Sequence, residues 1–413
     1  MELSVRDRAL LEGEAGEAAR LAMELVVAVG EAEGASRLVD IEAAHIDGCL
    51  YHGRAGLDFA RRLVEGSGRV SVPTTLNVAS LDLLHPDLYR GDPTTAAEAK
   101  ALMEAHLDLG CQPTWTCAPY QLPRRPKLGQ QIAWGESNAI VFANSVLGAR
   151  TNRYGDFLDI CCAITGRAPY TGLHTDEGRL ATLQVNVDVA DELLGSELFY
   201  PSLGHVLGEV SGVDIPVVVG LDSRADEDRL KALGAAAASS GAVAMFHVVG
   251  VTPEAPTLEA ALGSRPPTRV VTVTEKDLRR ARESLSSGSG PLGAISLGTP
   301  HMSLKELRHL SLQTAGLTTR VPFYVSTGRD IAAQARKEGL LEALESFGAT
   351  LVVDTCTYVT PIMDAVSGVV MTNSAKWAYY ATANLGVSVR LASTDDCVAS
   401  AVAGEVVLER EWG

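Results

Sequence analysis

The chain has 413 residues, 46% of them hydrophobic and 21% charged, with a formal net charge of −16 at neutral pH. That length and balance describe a soluble globular protein of two or three domains. The acidity argues against a nucleic-acid partner, because phosphate binding needs a positive surface. The N-terminal "MELSVRDRALLEGEAGEAAR" lacks the apolar run of a secretory signal, and no apolar stretch is long enough to span a bilayer. An odd count of seven cysteines fits reduced thiols in a cytoplasm.

Residues 5–34 read as helical, with Leu10, Leu11, Leu21, Leu25 and Val29 near helical spacing and Gly30 or Gly34 as the stop. "SRLVDIEAAHIDG" reads as a strand entering a loop, "DFARRLVEG" as a short helix, and "GRVSVPTTLNVAS" as a strand ending in a polar loop. "TTAAEAKALMEAHLDLG" predicts a helix with Thr95 as N-cap and Gly110 beyond its end. "ESNAIVFANSVLGA" predicts a buried helix.

Strand and helix alternate more clearly in the second half. "IPVVVGL", "VAMFHVVGV", "RVVTVT", "GAISLGTPH", "VPFYVSTG", "ATLVVDTC" and "GVVMTNS" are apolar strands, several ending in polar loops. Continuous Val/Ile runs separated by helical segments mean parallel strands covered on both faces, so the class is α/β with more than one sheet. Ser284–Gly290 reads as a flexible connector. The expected regions are 1–200 carrying Cys49, Cys117 and Glu136; 201–285; and 286–413 carrying Thr299, Cys356 and Lys376.

Ligands of open α/β sheets bind at the carboxyl ends of the strands, so the polar loops after the strands are where chemistry belongs. Those loops hold Cys49, Asn77, Cys117, Thr299, His301, Cys356 and Lys376. Cys161, Cys162 and Cys397 lie in apolar helical contexts and read as packing. No CxxC occurs, so nothing here is a zinc signature. Glu136 and Ser137 fit an acid and a hydroxyl, or a helix start. Lys376 fits a carboxylate partner or solvated surface. Arg150 and Arg153 fit a carboxylate fork or a helix cap, and His301 an acid or base, or a satisfied loop histidine.

The blocks "IEAAHIDGCLYHG", "VPTTLNVASLD", "PTWTCAPYQLP", "IAWGESNAIVFANSVLGARTNR", "ITGRAPYTGLH", "SLGTPHMSLKEL", "DTCTYVTPI" and "VMTNSAKWAYYA" occur in this order. Together they closely resemble the large-subunit part of the aconitase X family, from about residue 5 to residue 400. The resemblance implies an aconitase-like, multi-domain α/β architecture and an iron–sulfur dehydratase. It implies dehydration of cis-3-hydroxy-L-proline or, in archaea, of mevalonate 5-phosphate. Family members carry a small swivelling domain, fused or as a separate subunit; this chain is expected to lack it and to need a small swivel-type partner.

Carried onto this sequence, the resemblance makes Cys117 and Cys356 cluster ligands. The phosphomevalonate branch has a third cysteine where Thr299 stands, which turns the expectation toward the hydroxyproline reaction, a [2Fe–2S] cluster, and Cys49 as third ligand. Substrate contacts fall on Gly48, Cys49, Leu50, Asn77, Val78, Glu136, Ser137 and Lys376. Of these, Glu136, Ser137 and Lys376 are the candidates for catalysis, and Asp47 for accepting from the ring nitrogen. The alternatives are a mevalonate 5-phosphate dehydratase large subunit and a cluster-free binding subunit; retention of Cys117, Glu136, Cys356 and Lys376 speaks against the latter.

Overall fold

Two glycines break the expected long N-terminal helix. Helices form at Val5–Leu11 and Glu17–Ala32, and between them Gly13 and Gly16 sit at φ of 82° and 97°, where a side chain would be strained. The computed structural model describes residues 1–408 and 412. The chain divides into two units, Met1–Leu81 with Gly91–Leu180, and Asp82–Arg90 with Ala181–Gly413.

In the first unit the strands are β1 (Leu38–Asp40), β2 (Ala44–Ile46), β3 (Thr74–Leu76), β4 (Ala133–Trp134) and β5 (Arg167–Pro169). β2 is the centre of a parallel sheet ordered β3-β2-β4, and β1 pairs with β5 antiparallel. The helix Glu17–Ala32 buries Ala18, Ala22, Met23 and Val26 in one core with Ile160, Cys161, Cys162 and Ala163 of the helix Leu158–Thr165. The paired cysteines are therefore packing, as expected. The helix at Pro93–Asp108 is capped by Asp92, whose carboxylate takes the Thr95 N–H at 2.8 Å, with proline in the first turn. This corrects the cap expected at Thr95: the helix already starts at Pro93, so Thr95 lies inside its first turn and its own N–H is the one that Asp92 caps.

In the second unit β6 (Leu183–Asp188), β7 (Pro216–Val219), β8 (His247–Val248) and β9 (Arg269–Thr274) form a parallel sheet ordered β8-β7-β6-β9. β10 (Leu292–Met302), β11 (Phe323–Thr327), β12 (Ala349–Val352), β13 (Val369–Thr372) and β14 (Ser388–Leu391) form a second parallel sheet, ordered β12-β11-β10-β13-β14. The strands are almost wholly buried in β10, β11 and β13, which is why they read as continuous apolar runs. Only two residues of the run Val243–Val251 pair as a strand. The stretch 284–290 is not a free linker at its centre: the Ser286 and Ser287 hydroxyls accept the Leu391 and Val389 N–H groups at 3.2 and 3.0 Å, tying it to β14.

The five-stranded sheet winds outward in both directions from β10. Chain order leaves β10 toward β11 and β12 on one side and toward β13 and β14 on the other. A crevice opens at the carboxyl ends where the winding reverses, between β10 and β13. Among the described residues no helix is long and apolar enough to cross a membrane.

Candidate active site

In the first unit the carboxyl ends of three adjacent parallel strands deliver the expected groups together. β2 runs out into Asp47, Gly48, Cys49 and Leu50; β3 into Asn77 and Val78; β4 into Gly135, Glu136 and Ser137. The strands close up tightly here. A Cβ on Gly135 would stand 2.8 Å from Asp47 Cβ and 3.0 Å from Asp159 Oδ2, so only glycine fits.

Glu136 holds an uncommon positive φ of 68° and caps the helix Ser137–Phe142, accepting the Ala139 N–H at 2.7 Å. The Ser137 hydroxyl donates to it at 3.1 Å, and Asn138 Nδ2 donates to its other oxygen. Glu136 and Ser137 are thus a helix start, and the cap also fixes the carboxylate at the strand end. Asn138 carries the arrangement further. Its Nδ2 donates to the Cys117 carbonyl at 2.7 Å, and its Oδ1 accepts the Tyr120 hydroxyl at 2.6 Å. Tyr120 is stacked on Phe142, ring centroids 3.8 Å apart. Buried Cys117 is held in place by this network and by the Thr116 N–H bond to Leu76 O at 3.1 Å.

The carboxyls are the electrostatic centre of this unit. Asp159 is fully buried and accepts the N–H groups of Asp47 and Gly48 at 2.7 and 3.2 Å. Burial pushes it up to about 7, against the pull of those bonds. Asp47 is pushed up to about 8, first by desolvation and then by Glu136, Asp156 and Asp159, although Asn77 donates to it. Cys49 stands at the end of β2. Its thiol lies fully buried with the Ile46 and Asn77 carbonyls at 3.4 and 3.3 Å, and burial with the nearby Asp47 and Asp159 pushes it well above the ordinary range.

In the second unit the reversal point gathers the remaining candidates. β10 ends in Gly298-Thr299-Pro300-His301, and a Cβ on Gly298 (φ 93°) would lie 2.2 Å from the Ser326 carbonyl of β11. Beyond β12, Asp354 pairs with Arg329, Nη2 to Oδ2 at 2.6 Å, and accepts the Leu83 N–H at 3.0 Å. This anchors the turn whose Cys356 carbonyl accepts the Val359 and Thr360 N–H groups, both at 3.2 Å. His301 is fully buried and donates from Nε2 to the Thr355 carbonyl at 3.1 Å. A ring nitrogen of His301 and the Cys356 sulfur lie within 4.8 Å of one another.

Beyond β13, Ser374 caps the helix Ala375–Leu385, accepting the Trp377 N–H at 3.0 Å and donating to the Thr299 carbonyl. Lys376 lies in the first turn of that helix and is buried, which removes the solvated-surface reading. A cavity of about 40 Å³ sits at the reversal, lined by Thr299, Ser374 and Lys376 and by the ion pair of Lys231 with Glu306.

Arg150 meets a carboxylate of the chain itself, Asp176 at 2.5 Å, and Arg153 is exposed. Sequence reasoning missed Asn138 and Asp159. The signal for Asp159 was present: a lone acid in the apolar "LDICCAIT" can only be buried and bonded. Asn138 had none, since its partners are a residue two positions away and two in the loop before β4.

Models of the Aconitase X first, second and third domains match residues 1–177, 181–283 and 292–403. A cis-3-hydroxy-L-proline dehydratase of Pseudomonas aeruginosa is 47% identical over 97% of this chain and 70% of its own length. A phosphomevalonate dehydratase large subunit of Thermococcus kodakarensis is 36% identical over 97% of this chain and all of its own length, 100%. The crystal structure of Thermococcus kodakaraensis aconitase X in its holo form superposes with a TM-score of 0.87 at 35% identity, covering 97% of this chain and 100% of that one.

Proposed function

Because the chain belongs to the aconitase X family, we propose that it is a hydro-lyase that removes water from a small 3-hydroxy acid, foremost cis-3-hydroxy-L-proline to give 1-pyrroline-2-carboxylate. The observation that carries the choice of substrate is identity of 47% and 43%, over 97% and 98% of this chain, to two relatives named cis-3-hydroxy-L-proline dehydratase. The phosphomevalonate relatives named above and beyond stand at 33–38%.

The residues fit an iron–sulfur cluster. Cys117 and Cys356 are buried thiols at the ends of ordered loops, and His301 stands beside Cys356. Thiolate and imidazole are donors suited to iron, and burial excludes competing water. We assign Cys117 and Cys356 as ligands with His301 as the third donor, and a [2Fe–2S] form because Thr299 offers no third thiolate. Cys49 stays in the substrate loop, its thiol bonded to backbone. When bound, the cluster supplies a Lewis acid for the departing hydroxyl.

The chain's own residues supply binding and proton transfer. Dehydration removes a weakly acidic Cα proton and a poor leaving group, so charge builds on the substrate carboxylate. Lys376, with the start of its helix, stabilises that charge. Asp47, near 8, exchanges protons close to neutral pH and is the proton-transfer group. Gly48, Leu50, Asn77, Val78 and Ser137 shape the pocket around it, and Glu136 holds the strand-end geometry. A small swivel-type subunit completes the enzyme, in line with the "large subunit" of the relatives' names. Seven free cysteines suit a reducing, cytoplasmic setting.

Anaerobic purification with its partner tests this reading. A coloured, iron-containing protein that dehydrates cis-3-hydroxy-L-proline supports it. Turnover of mevalonate 5-phosphate instead would assign the other substrate, and a colourless inert protein would make the chain a binding subunit.

A further inference from the structure

Residues Asp82–Arg90 fold with the second unit, although the chain before and after them belongs to the first. The segment runs along the turn that carries Cys356. At its start the two stretches exchange bonds reciprocally. Asp82 Oδ2 accepts the Val353 N–H at 2.9 Å, and Asp354 Oδ2 accepts the Leu83 N–H at 3.0 Å. At its end the Arg90 N–H donates to the Pro361 carbonyl at 2.7 Å. The segment thus grips the turn on both sides of Cys356, at Val353 and Asp354 before it and at Pro361 after it.

The grip is built from buried carboxylates. Asp82 is 4% exposed and Asp354 is fully buried. The other oxygen of Asp82 takes the Leu84 and His85 N–H groups, both at 2.9 Å, which folds the segment into a turn of its own. Asp354 holds a positive φ of 61°, a conformation that persists where the surroundings enforce it. Arg329 enforces it by forking the carboxylate, and the Leu83 N–H adds a further bond. Within the grip the Thr355 and Thr360 hydroxyls bond to one another at 2.6 Å, and the Thr357 hydroxyl bonds Ser296 and the Trp377 indole at 2.7 and 2.8 Å.

We propose that Asp82–Arg90 is a clamp that holds the Cys356 turn in the geometry of a cluster ligand, with Asp82 as its positioning residue. Asp82 acts through the Val353 N–H. A turn fixed in advance does not have to be ordered when iron binds, so the clamp strengthens the hold on the cluster. The proposal rests on the reading of Cys356 as a ligand and adds to it the group that presets the thiol.

Asp82→Asn separates the clamp from the segment's own fold. The asparagine carbonyl still accepts the Leu84 and His85 N–H groups, but its amide nitrogen then faces the Val353 N–H, donor against donor, and the bond between the two stretches is lost. Wild type and variant are compared as anaerobically purified holoenzymes, well below their melting temperatures. Iron affinity falls roughly 10- to 100-fold in Asp82→Asn, read as faster release to a chelator, and the electron paramagnetic resonance of the reduced cluster changes shape. In protein stripped of iron, alkylation of Cys356, followed by mass spectrometry, quickens by a factor on the order of 10 to 100, because a turn that loses a bond to a charged group opens more often. Arg329→Lys keeps the charge, removes the fork on Asp354 and shifts all three readouts in the same direction; it carries the test should Asp82→Asn not fold. Iron release and resonance like wild type overturn the proposal whatever the melting temperature does, since a merely structural bond would lower stability and leave the cluster's signature alone. Cys356→Ser tests the underlying reading separately. If it loses the cluster while Asp82→Asn behaves as wild type, the clamp alone fails; if it keeps the cluster, the ligand reading and the clamp fail together.

Discussion

Asn138 donates to the Cys117 carbonyl at 2.7 Å while the same amide nitrogen donates to the Glu136 carboxylate, so one side chain ties a thiol-bearing loop to the start of the helix after β4. Truncation to alanine leaves a buried carbonyl, a buried carboxylate oxygen and the Tyr120 hydroxyl short of partners. Asn138→Ala should lose about 2–4 kcal/mol of stability, from unpaired groups costing about 1–3 kcal/mol each with partial relaxation. Iron content should fall with it, because the Cys117 loop loses its tether. Urea unfolding and iron analysis on one preparation check both; full iron at wild-type stability would show the tether to be unnecessary.

The three strand-end cysteines should separate cleanly. Cys356→Ser and Cys117→Ser are expected to abolish the visible absorbance and at least 90% of activity, taking loss of a metal ligand as roughly the 10- to 100-fold scale of outer-shell changes or beyond. Cys49→Ser keeps a small donor for the Ile46 and Asn77 carbonyls and should keep its iron. Loss of colour in Cys49→Ser would restore Cys49 as a ligand.

Stability should peak near pH 6.5. Asp47 and Asp159 hold their protons in the native state up to about 8 and about 7, whereas an unfolded carboxyl releases its proton near pH ~4. The native state therefore binds the extra protons, and the stability they contribute falls as pH rises through that window. His45, His106 and His174 have the opposite sign. Burial holds them neutral down to about 3, 4 and 3, while an unfolded imidazole charges below about pH 6.5, so stability falls as pH drops from there. From pH ~6.5 to ~8 the loss should be on the order of 2 kcal/mol. Asp47→Asn and Asp159→Asn should each flatten the alkaline limb in urea titrations at several pH values; an unaltered slope would mean these carboxyls are ionised in the native state.

Gly135→Ala should be poorly tolerated although alanine is the smallest change available. The added methyl meets Asp47 and Asp159 at 2.8 to 3.0 Å, which displaces the carboxyl pair or the strand end. A cost of about 1–3 kcal/mol follows from overpacking. Activity should fall further than stability, because the displaced group is the proton-transfer carboxyl. The readout is kcat beside the melting temperature; wild-type kcat would remove Asp47 from that role.

By itself the sequence determined the class of this fold and the addresses of its chemistry. Apolar runs such as Ile215–Leu221 mark buried strands, and polar residues at or just beyond such runs, such as Asn77, Thr299 and Lys376, fall near the strands' carboxyl ends. The resemblance to aconitase X was legible for a related reason: whole blocks around those ends are kept in order. What the tertiary structure alone decided is which strand end neighbours which, since parallel pairing joins residues far apart in the chain and no local pattern records the order of strands. That order puts Thr299 and Lys376 at one reversal point and packs Asp47 against Asp159. It also fixes solvation: Lys376 was equally compatible with surface or interior until the fold buried it.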